Sequence, residues 1–374
     1  MMVAMAVIKV LQVIDSMDRG GAQVFVMNVL RNINRNKYQF DFLVTTSKKC
    51  AYDDEIRSMN GNIYRVPSRR EGIRKNWNGL KDFFQQNKYD VIHFHTSCPS
   101  YIEPLIAAKR AGVKKIILHS HSSSGPKGLY HEMMRRIYRP KIKNIATHYY
   151  ACSKEAANWM YGKYIKSHNI NIIPNGIDTG NFIYSDKVYN MKRQELGISR
   201  DKFVIGHVGR FAKVKNHDFL IEVFKEINEK AQNSKLLLIG EGVLLEDMRK
   251  KVEELGVSKD VFFLQEREDV HEIMQAMDVL VMPSLYEGLP LSLVEAQASG
   301  LPCIVSDTVS KEAALTDLVE FISLKDNISN WCNTILVKSN KKERNKYNKF
   351  VKDSGYDISQ TSKMLEEVYA DEKM

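Results

Sequence analysis

Paired cysteines are missing from this sequence. Its five cysteines are scattered over 374 residues, and none forms a C-x-x-C motif with another. Neither a disulfide framework nor a zinc site is indicated, so a reducing, cytoplasmic location is expected. Apolar runs long enough to span a membrane are missing too. The apolar opening Met1–Ile14 contains Lys9 and lacks a basic start. It is therefore predicted to be a buried strand rather than a signal peptide.

Two ligand-binding motifs are also missing. No Asp-x-Asp pair follows a predicted strand, so we expect neither a divalent metal nor another cofactor. The turn at Gly20-Gly21 follows the first predicted strand but does not match G-x-G-x-x-G. A dinucleotide-binding site is therefore poorly supported.

Acidic residues are scarce in the first half of the chain. Residues 1–180 contain 28 Lys and Arg against 13 Asp and Glu, a balance of +15, whereas the remainder carries −5 of the total +10. Such a basic half suits nucleic acid, an anionic membrane or a phosphorylated substrate. Because no recognised nucleic-acid module is present, we expect no nucleic-acid partner. We favour an anionic surface on the inner face of the membrane.

Strand and helix patterns alternate along the chain. Buried strands are predicted at Val7–Ile14, Tyr89–Phe94 and Lys115–Leu118, and the pattern restarts at Phe203–Val208. Repeated strand–helix units give parallel sheets with helices on both faces, so an α/β fold is predicted. The polar segment Asn181–Leu196 lacks a clear strand pattern and is predicted to contain the domain boundary. Residues 1–185 would form one domain and residues 186–355 the other, with a helix at about 356–374 packing back on the first.

Two glycine-containing turns are predicted to approach a ligand. Gly20 and Gly21 precede a helix, whose N-terminus favours an anion. The strand Phe203–Val208 runs into Gly209-Arg210, with Lys215 shortly after it. Cations just beyond the carboxyl end of a strand lie where open α/β sheets bind ligands, and both can hold phosphate.

The most informative segment runs from Pro283 to Pro302. Pro290 suits a helix start and Gly300 its end, so Glu287 would lie before the helix and Glu295 about two turns into it. Carboxylates accept hydrogen bonds from vicinal hydroxyls, which suits a sugar and a ribose.

Four ordered motifs together resemble retaining glycosyltransferase family 4, of GT-B architecture. They are the Gly20-Gly21 turn, the Pro174-Asn175-Gly176 segment, Gly209-Arg210 with Lys215, and the Glu287–Glu295 element. The match extends from Val10 to about Ser306. Within the family, the sequence resembles enzymes of bacterial exopolysaccharide or capsule assembly. The resemblance implies two Rossmann-like domains facing each other across a cleft. The first would bind a glycan or polyprenyl-linked acceptor, and the second a nucleotide-sugar donor, most naturally a UDP-sugar.

The resemblance also implies residue roles. Arg210 and Lys215 would neutralise the donor diphosphate, Glu295 would bind the ribose, and Glu287 the transferred sugar. His121, preferred over His119, would contact the donor sugar, and His95 would face the acceptor. The nucleotide base would lie near Gln265–Arg267, where family members commonly have a glycine. The complete set comprises catalytic His121, Arg210, Lys215 and Glu287, and substrate-binding Gly20, Gly21, His95, His119, Asn175, Gly209, Glu241, Arg267, Gly288, Leu289, Pro290, Leu291 and Glu295.

The implied reaction is a hexosyl transfer with retention at the sugar carbon. The leaving diphosphate would take the acceptor proton on the same face, and the protein would stabilise the developing charge. One alternative is a nucleotide-sugar 2-epimerase of similar architecture, which would need no acceptor. A second is a basic nucleic-acid-binding protein, which would carry Lys and Arg interleaved with aromatic residues on one surface.

Overall fold

The computed structural model describes residues 7–126, 128–338 and 343–371. The chain divides into two compact units. One comprises the chain up to Gly176 together with the segment from Ile358, and the other is Ile177–Asp357. The division therefore falls before the predicted boundary at 185. The polar segment placed there forms a helix of the second unit instead.

The first unit contains a seven-stranded parallel sheet in the order β3-β2-β1-β4-β5-β6-β7. Its strands are β1 (Ile8–Val13), β2 (Tyr38–Val44), β3 (Ile63–Arg65), β4 (Val91–Thr96), β5 (Lys115–Ser120), β6 (His148–Ala151) and β7 (Ile170–Ile172). Its first six helices are α1 (Gly21–Asn32), α2 (Asp53–Ser58), α3 (Ile73–Gln86), α4 (Glu103–Arg110), α5 (Leu129–Ile142) and α6 (Lys154–Tyr161). Two apolar cores, one on each face of the sheet, bury the strands, as parallel sheets require.

The second unit contains a six-stranded parallel sheet in the order β10-β9-β8-β11-β12-β13. Its strands are β8 (Phe203–Val208), β9 (Ser234–Ile239), β10 (Val261–Phe263), β11 (Val279–Met282), β12 (Cys303–Ser306) and β13 (Val319–Ile322). Its helices are α7 (Asp186–Glu195), α8 (His217–Lys230), α9 (Leu245–Glu254), α10 (Val270–Gln275), α11 (Leu291–Ala298), α12 (Ile328–Lys338) and α13 (Lys346–Val351). Both sheets confirm the predicted α/β class.

The last helix, α14 (Ile358–Ala370), belongs to the first unit. Leu365 and Tyr369 are buried in its core, and the Tyr369 hydroxyl lies 2.7 Å from His93 Nδ1. The ammonium group of Lys115 donates to carbonyls at the end of α14, including Val368 at 2.6 Å. Lys115 is consequently buried, as expected for the first residue of a predicted buried strand.

Candidate functional site

The loop after β8 carries the two predicted cations of the second unit. Arg210 is exposed, whereas Lys215 is largely covered. Lys215 Nζ lies 2.7 Å from Glu287 Oε1, and both side chains are about one-sixth exposed. The structure therefore joins two predicted site residues from distant parts of the chain in one partly buried ion pair.

Backbone contacts fix this pair. The Leu285 amide donates to the Val214 carbonyl at 2.7 Å, and the Asn216 side chain donates to the Pro283 carbonyl at 3.1 Å. The loops after β8 and β11 are thereby tied together. These strands are neighbours in the sheet, with Val279 opposite Ile205. The pairing of β8 with β11 therefore holds Lys215 and Glu287, which lie on the loops after these strands, next to each other.

The loop after β9 contains two glycines, Gly240 and Gly242, and packs against the loop after β8. A Cβ atom on Gly240 would lie 2.3 Å from the Gly209 carbonyl oxygen, and one on Gly242 would lie 2.4 Å from that of Phe211. Both glycines have positive φ, at 140° and 154°. Glu241 between them is exposed, and its carbonyl accepts a hydrogen bond from Phe211 N at 2.8 Å. This close backbone approach explains the glycines without a ligand, and it leaves the Glu241 side chain on the surface.

Helix α11 begins and ends as predicted. Pro290 caps it, Gly300 follows it with φ of 65°, and the segment Gly288-Leu289 leads into its first residue, Leu291. The first backbone N–H groups of a helix have no intrahelical acceptor and favour an anion. Glu295 is the fifth residue of α11, nearer to the helix start than the predicted two turns. Burial raises the pKa of its carboxyl group to about 7.

The structure places Arg267 differently from its predicted role. Its guanidinium donates to Asp269 at 2.7 Å and to Glu195 at 2.9 Å, and these bonds raise the pKa of Arg267. Two of its three nitrogens, Nε and Nη2, thus belong to an ion network that includes Lys192. Gln265 adopts φ of 52°, so it occupies the left-handed conformation that a glycine would supply.

In the first unit, the Gly20-Gly21 turn begins α1. Gly20 is its N-cap with extended backbone, and the Val24 amide donates back to the Gly20 carbonyl at 2.8 Å. A Cβ atom on Gly21 would lie 4.0 Å from Nδ2 of Asn175. The structure therefore brings together the turn and the Pro174-Asn175-Gly176 segment, two of the predicted motifs.

Four histidines form two pairs across β4 and β5. His93 Nε2 lies 3.2 Å from His119 Nδ1, and His95 Nδ1 lies 2.8 Å from His121 Nε2. Burial is the main cause that lowers the pKa of each histidine, to about 4 for His121, so all are neutral at pH 7. Three of them are fully enclosed, and only His121 is partly exposed.

The different exposure of these histidines distinguishes which of them could contact a ligand. His121 is exposed enough to contact a ligand, whereas His119 is enclosed. His95, which was expected to face the acceptor, is 3% exposed and has both ring nitrogens bonded inside the protein, so it does not fit direct contact. Nitrogens of His93, His95 and His119 lie within 4.8 Å of one another. Since most of these atoms already bond one another or a neighbouring side chain, we assign no metal to them.

Gln12 was not recognised as a site residue from the sequence. It lies within β1, is 1% exposed, and its Oε1 is 2.7 Å from His95 Nε2. The available signal was a single amide inside an otherwise apolar strand, because a buried polar group requires a partner.

No helix within residues 7–126, 128–338 and 343–371 combines the length and apolar character needed to cross a bilayer.

Two Rossmann-like units, with a cation–carboxylate pair at the edge of the second sheet, define a glycosyltransferase of GT-B architecture. The chain belongs to glycosyltransferase family 4. The family model described as Glycosyltransferase Family 4 matches residues 19–181, and that described as Glycosyl transferases group 1 matches residues 189–353. The resemblance inferred from the four motifs is thus confirmed.

Two relatives that match almost the whole chain are named as glycosyltransferases. Bacillus subtilis (strain 168) EpsF is 36% identical over 372 residues, covering 96% of each chain. The Staphylococcus aureus capsular polysaccharide biosynthesis glycosyltransferase CapH is 26% identical, covering 97% of this chain and 98% of its own. The Anabaena Alr3699/HepE structure in complex with UDP and glucose has a TM-score of 0.78 at 17% identity, covering 96% and 99% of the two chains. At that identity the likeness establishes the fold alone.

Proposed function

We propose that this enzyme transfers a hexose, with retention, from a UDP-sugar to a lipid-linked glycan acceptor during assembly of a cell-surface polysaccharide. The observation that carries the proposal is the Lys215–Glu287 ion pair, which lies beyond the carboxyl ends of β8 and β11 in the second sheet. Arg210 is on the same loop as Lys215. The pair places a cation beside a carboxylate. The cation can bind a diphosphate, and the carboxylate can accept hydrogen bonds from the hydroxyls of the adjoining sugar.

The donor half of the proposal follows from the charges. Arg210 is exposed, so it can hold a phosphate in a bidentate manner. In the proposed complex the diphosphate would share Lys215 with Glu287, and Glu295 would accept hydrogen bonds from the ribose. Positive charge placed before the reaction stabilises the diphosphate as it leaves. The choice of UDP is supported by the Anabaena structures in complex with UDP and with UDP-glucose.

We propose that retention is achieved without a protein nucleophile, by attack of the acceptor on the face of the sugar from which the diphosphate leaves. Glu287 is engaged by Lys215 at 2.7 Å, which lowers its availability to attack the sugar carbon. We therefore propose that the leaving diphosphate accepts the acceptor proton on the same face of the sugar. We also propose that no metal or other cofactor takes part, because Arg210 and Lys215 supply the charge that a divalent ion would supply.

The acceptor half is supported by a relative. An Escherichia coli enzyme that is 28% identical over 304 residues, 78% of each chain, is named UDP-Gal:alpha-D-GlcNAc-diphosphoundecaprenol alpha-1,3-galactosyltransferase. That name describes a lipid-linked acceptor. An enzyme acting on such an acceptor has to work at a membrane surface, so the first unit should have a surface that binds one.

Helix α5 offers that surface. Leu129, Met133 and Ile137 recur every four residues along it and are 91%, 51% and 40% exposed. Arg136 beside them is 79% exposed, and Lys141 follows on the surface. An apolar stripe flanked by cations is typical of helices that lie in the headgroup region of anionic bilayers. We therefore propose peripheral attachment through α5.

Two of the arginines of α5 have contacts inside the unit. The Arg135 guanidinium lies 4.5 Å from the centre of the Trp159 ring, and its side chain is 17% exposed. Arg139 donates to the Met160 carbonyl at 3.2 Å. Charge reversal at either would disturb packing, so neither arginine suits a test of membrane binding.

Vesicle co-sedimentation tests the attachment. The triple variant Leu129→Ser, Met133→Ser, Ile137→Ser should bind phosphatidylglycerol vesicles at least roughly tenfold more weakly than the wild type, because the apolar contact is lost. Ile73→Ser is the matched control, since Ile73 is an exposed residue of α3 in the same unit. Equal binding to phosphatidylcholine vesicles, or unchanged binding of the triple variant, would refute the attachment.

Activity assays test the reaction. A thermal-shift screen of nucleotide sugars should single out a UDP-sugar. Incubation of that sugar alone should leave its configuration unchanged, whereas addition of an undecaprenyl-diphosphate glycan should yield a lengthened lipid product. Epimerisation without an acceptor would instead support the 2-epimerase alternative. Product anomers resolved by NMR would test retention.

A further inference from the structure

Three hydrogen bonds connect four side chains of the first unit in a line. Gln12 Oε1 lies 2.7 Å from His95 Nε2, and His95 Nδ1 lies 2.8 Å from His121 Nε2. The line ends where His121 Nδ1 lies 3.0 Å from Asn175 Oδ1. It runs from near the carboxyl end of β1, across the carboxyl ends of β4 and β5, to the residue beside the Gly20-Gly21 turn. We refer to these four side chains as the amide–histidine relay.

The number of ring protons restricts the direction of the relay. With both amide oxygens facing the imidazoles, three bonds require three ring protons, which means one imidazolium. Burial lowers the pKa of His95 and His121, so the pair is neutral and holds two ring protons. The three bonds are then all made only if one of the terminal amides turns its NH₂ group inward. Since amide oxygen and nitrogen are nearly isosteric, either Gln12 or Asn175 can do so.

The surroundings of Asn175 decide between them. Asn175 is 4% exposed, and its Nδ2 atom lies 4.0 Å from the position of a Cβ atom on Gly21. Within the described ranges of the chain, this nitrogen donates no hydrogen bond. It is therefore a nearly buried, unpartnered donor at the N-terminus of the twelve-residue helix α1, where backbone N–H groups also point outward. An amide oxygen at this place would compete with a substrate oxygen for those N–H groups.

We propose that Asn175 donates from Nδ2 to an oxygen of the sugar diphosphate at the Gly20-Gly21 turn, and that Gln12, His95 and His121 are positioning residues that fix this orientation. Gln12 then donates to His95 Nε2, His95 donates from Nδ1 to His121 Nε2, and His121 donates from Nδ1 to Asn175 Oδ1. Both the identity of the oxygen and the choice of Asn175 as the outer donor rest on the proposed function, whereas the tautomer of His121 can be measured independently of it.

The direction has a spectroscopic signature. Long-range ¹H–¹⁵N correlation spectra of the full-length wild type should show His121 as the neutral Nδ1–H tautomer near pH 7. The resonance is assigned by its loss in His121→Ala. The Nε2–H tautomer would require Asn175 to turn its oxygen toward the turn, and it would overturn the proposal. In Gln12→Met the donor that orients the relay is gone, so His121 should become a mixture of tautomers. An unchanged single tautomer there would remove Gln12 from the relay.

Kinetics with a UDP-sugar supply the second readout. Gln12→Met should lower kcat by roughly 10–100-fold with little change in KM, because a misdirected donor near the reacting atoms costs about this much. Asn175→Asp, which cannot donate when ionised, should lose at least as much. The matched control is Tyr161→Phe, which removes a buried hydroxyl bonded at 2.6 Å to the Leu118 carbonyl, outside the relay.

The outcomes separate the two proposals. If the wild type transfers sugar but Gln12→Met and Asn175→Asp remain within a few-fold of it, the positioning role is wrong. If Tyr161→Phe loses as much kcat as Gln12→Met, the loss reflects general loosening of these strands, and the positioning role is again wrong. If no nucleotide sugar is consumed by the wild type but His121 shows the Nδ1–H tautomer, the proposed function fails while the relay direction stands.

Discussion

The buried carboxyl group of Glu295 gives a quantitative prediction for Glu295→Gln. Burial raises its pKa from the ordinary 4.5 to about 7, and within the described residues its carboxyl group has no hydrogen-bond partner. A group whose pKa is higher in the folded than in the unfolded state holds its proton more tightly when folded. Its stabilising contribution is therefore complete below pH 4.5 and is lost as the pH rises through 7.

The magnitude follows from the shift. A difference of about 2.5 pKa units corresponds to about 3–3.5 kcal/mol, since each unit is worth about 1.4 kcal/mol. Glutamine has no charge to bury, so Glu295→Gln should be more stable than the wild type by up to this amount at pH 8. The difference should vanish near pH 4.5. For a unit of this size, about 3 kcal/mol raises the Tm by about 6–12 °C.

The assay is thermal unfolding of both proteins between pH 4.5 and 8. Fluorescence of Trp331, buried in the second unit, can report that unit when Trp77 and Trp159 are replaced by Phe in both proteins. Glu229→Gln is the control, because this carboxylate is 63% exposed and should give no pH-dependent difference. The same Glu295→Gln protein should bind UDP more weakly, since the proposed ribose acceptor is altered. A difference in Tm that does not change with pH would refute the reasoning.

Three further predictions concern the donor site. Arg210→Ala and Lys215→Ala should each lower kcat by roughly 10²–10³-fold, the usual cost of losing one preorganised charge, and values within a few-fold of wild type in folded protein would contradict the assignment. Activity should survive EDTA, and a complete loss rescued by Mg²⁺ or Mn²⁺ would show that a metal takes part. Gly240→Ala should lower the Tm and UDP affinity, measured by calorimetry, because its Cβ atom would collide with the Gly209 carbonyl at 2.3 Å. Gly256→Ala is its control, since that glycine also has positive φ but has nothing within 4 Å of the Cβ position.

Local patterns predicted the fold well because local physics decides it. The apolar runs became buried parallel strands, and Pro290 and Gly300 marked the ends of α11 through backbone preferences that act within a few residues. The domain boundary was placed too late because a polar segment was interpreted as a linker. In the structure, Asp186–Glu195 is a surface helix, whose exposed face is polar for the same reason that a linker is.

Side-chain partners were less predictable, because they depend on tertiary contacts. Arg267 was assigned to a nucleotide base by its place in a motif, yet Glu195 and Asp269 lie close enough to engage it. His95 was placed at the acceptor by the family resemblance, but the pleat turns its ring into the interior toward Gln12. Neither contact follows from spacing along the chain.

Strand order explains why the candidate residues nevertheless converge. In the first sheet, β1 lies between β2 and β4, and in the second, β8 lies between β9 and β11. The chain leaves each of these strands in one direction and later returns on the other side, so the loops after β1 and β8 diverge from their neighbours and leave a crevice. Gly20-Gly21 follows β1, and Lys215 follows β8, while Glu287 follows the adjacent β11. A sequence that marks strands and their following loops therefore already indicates which side chains can meet, once the strand order is known.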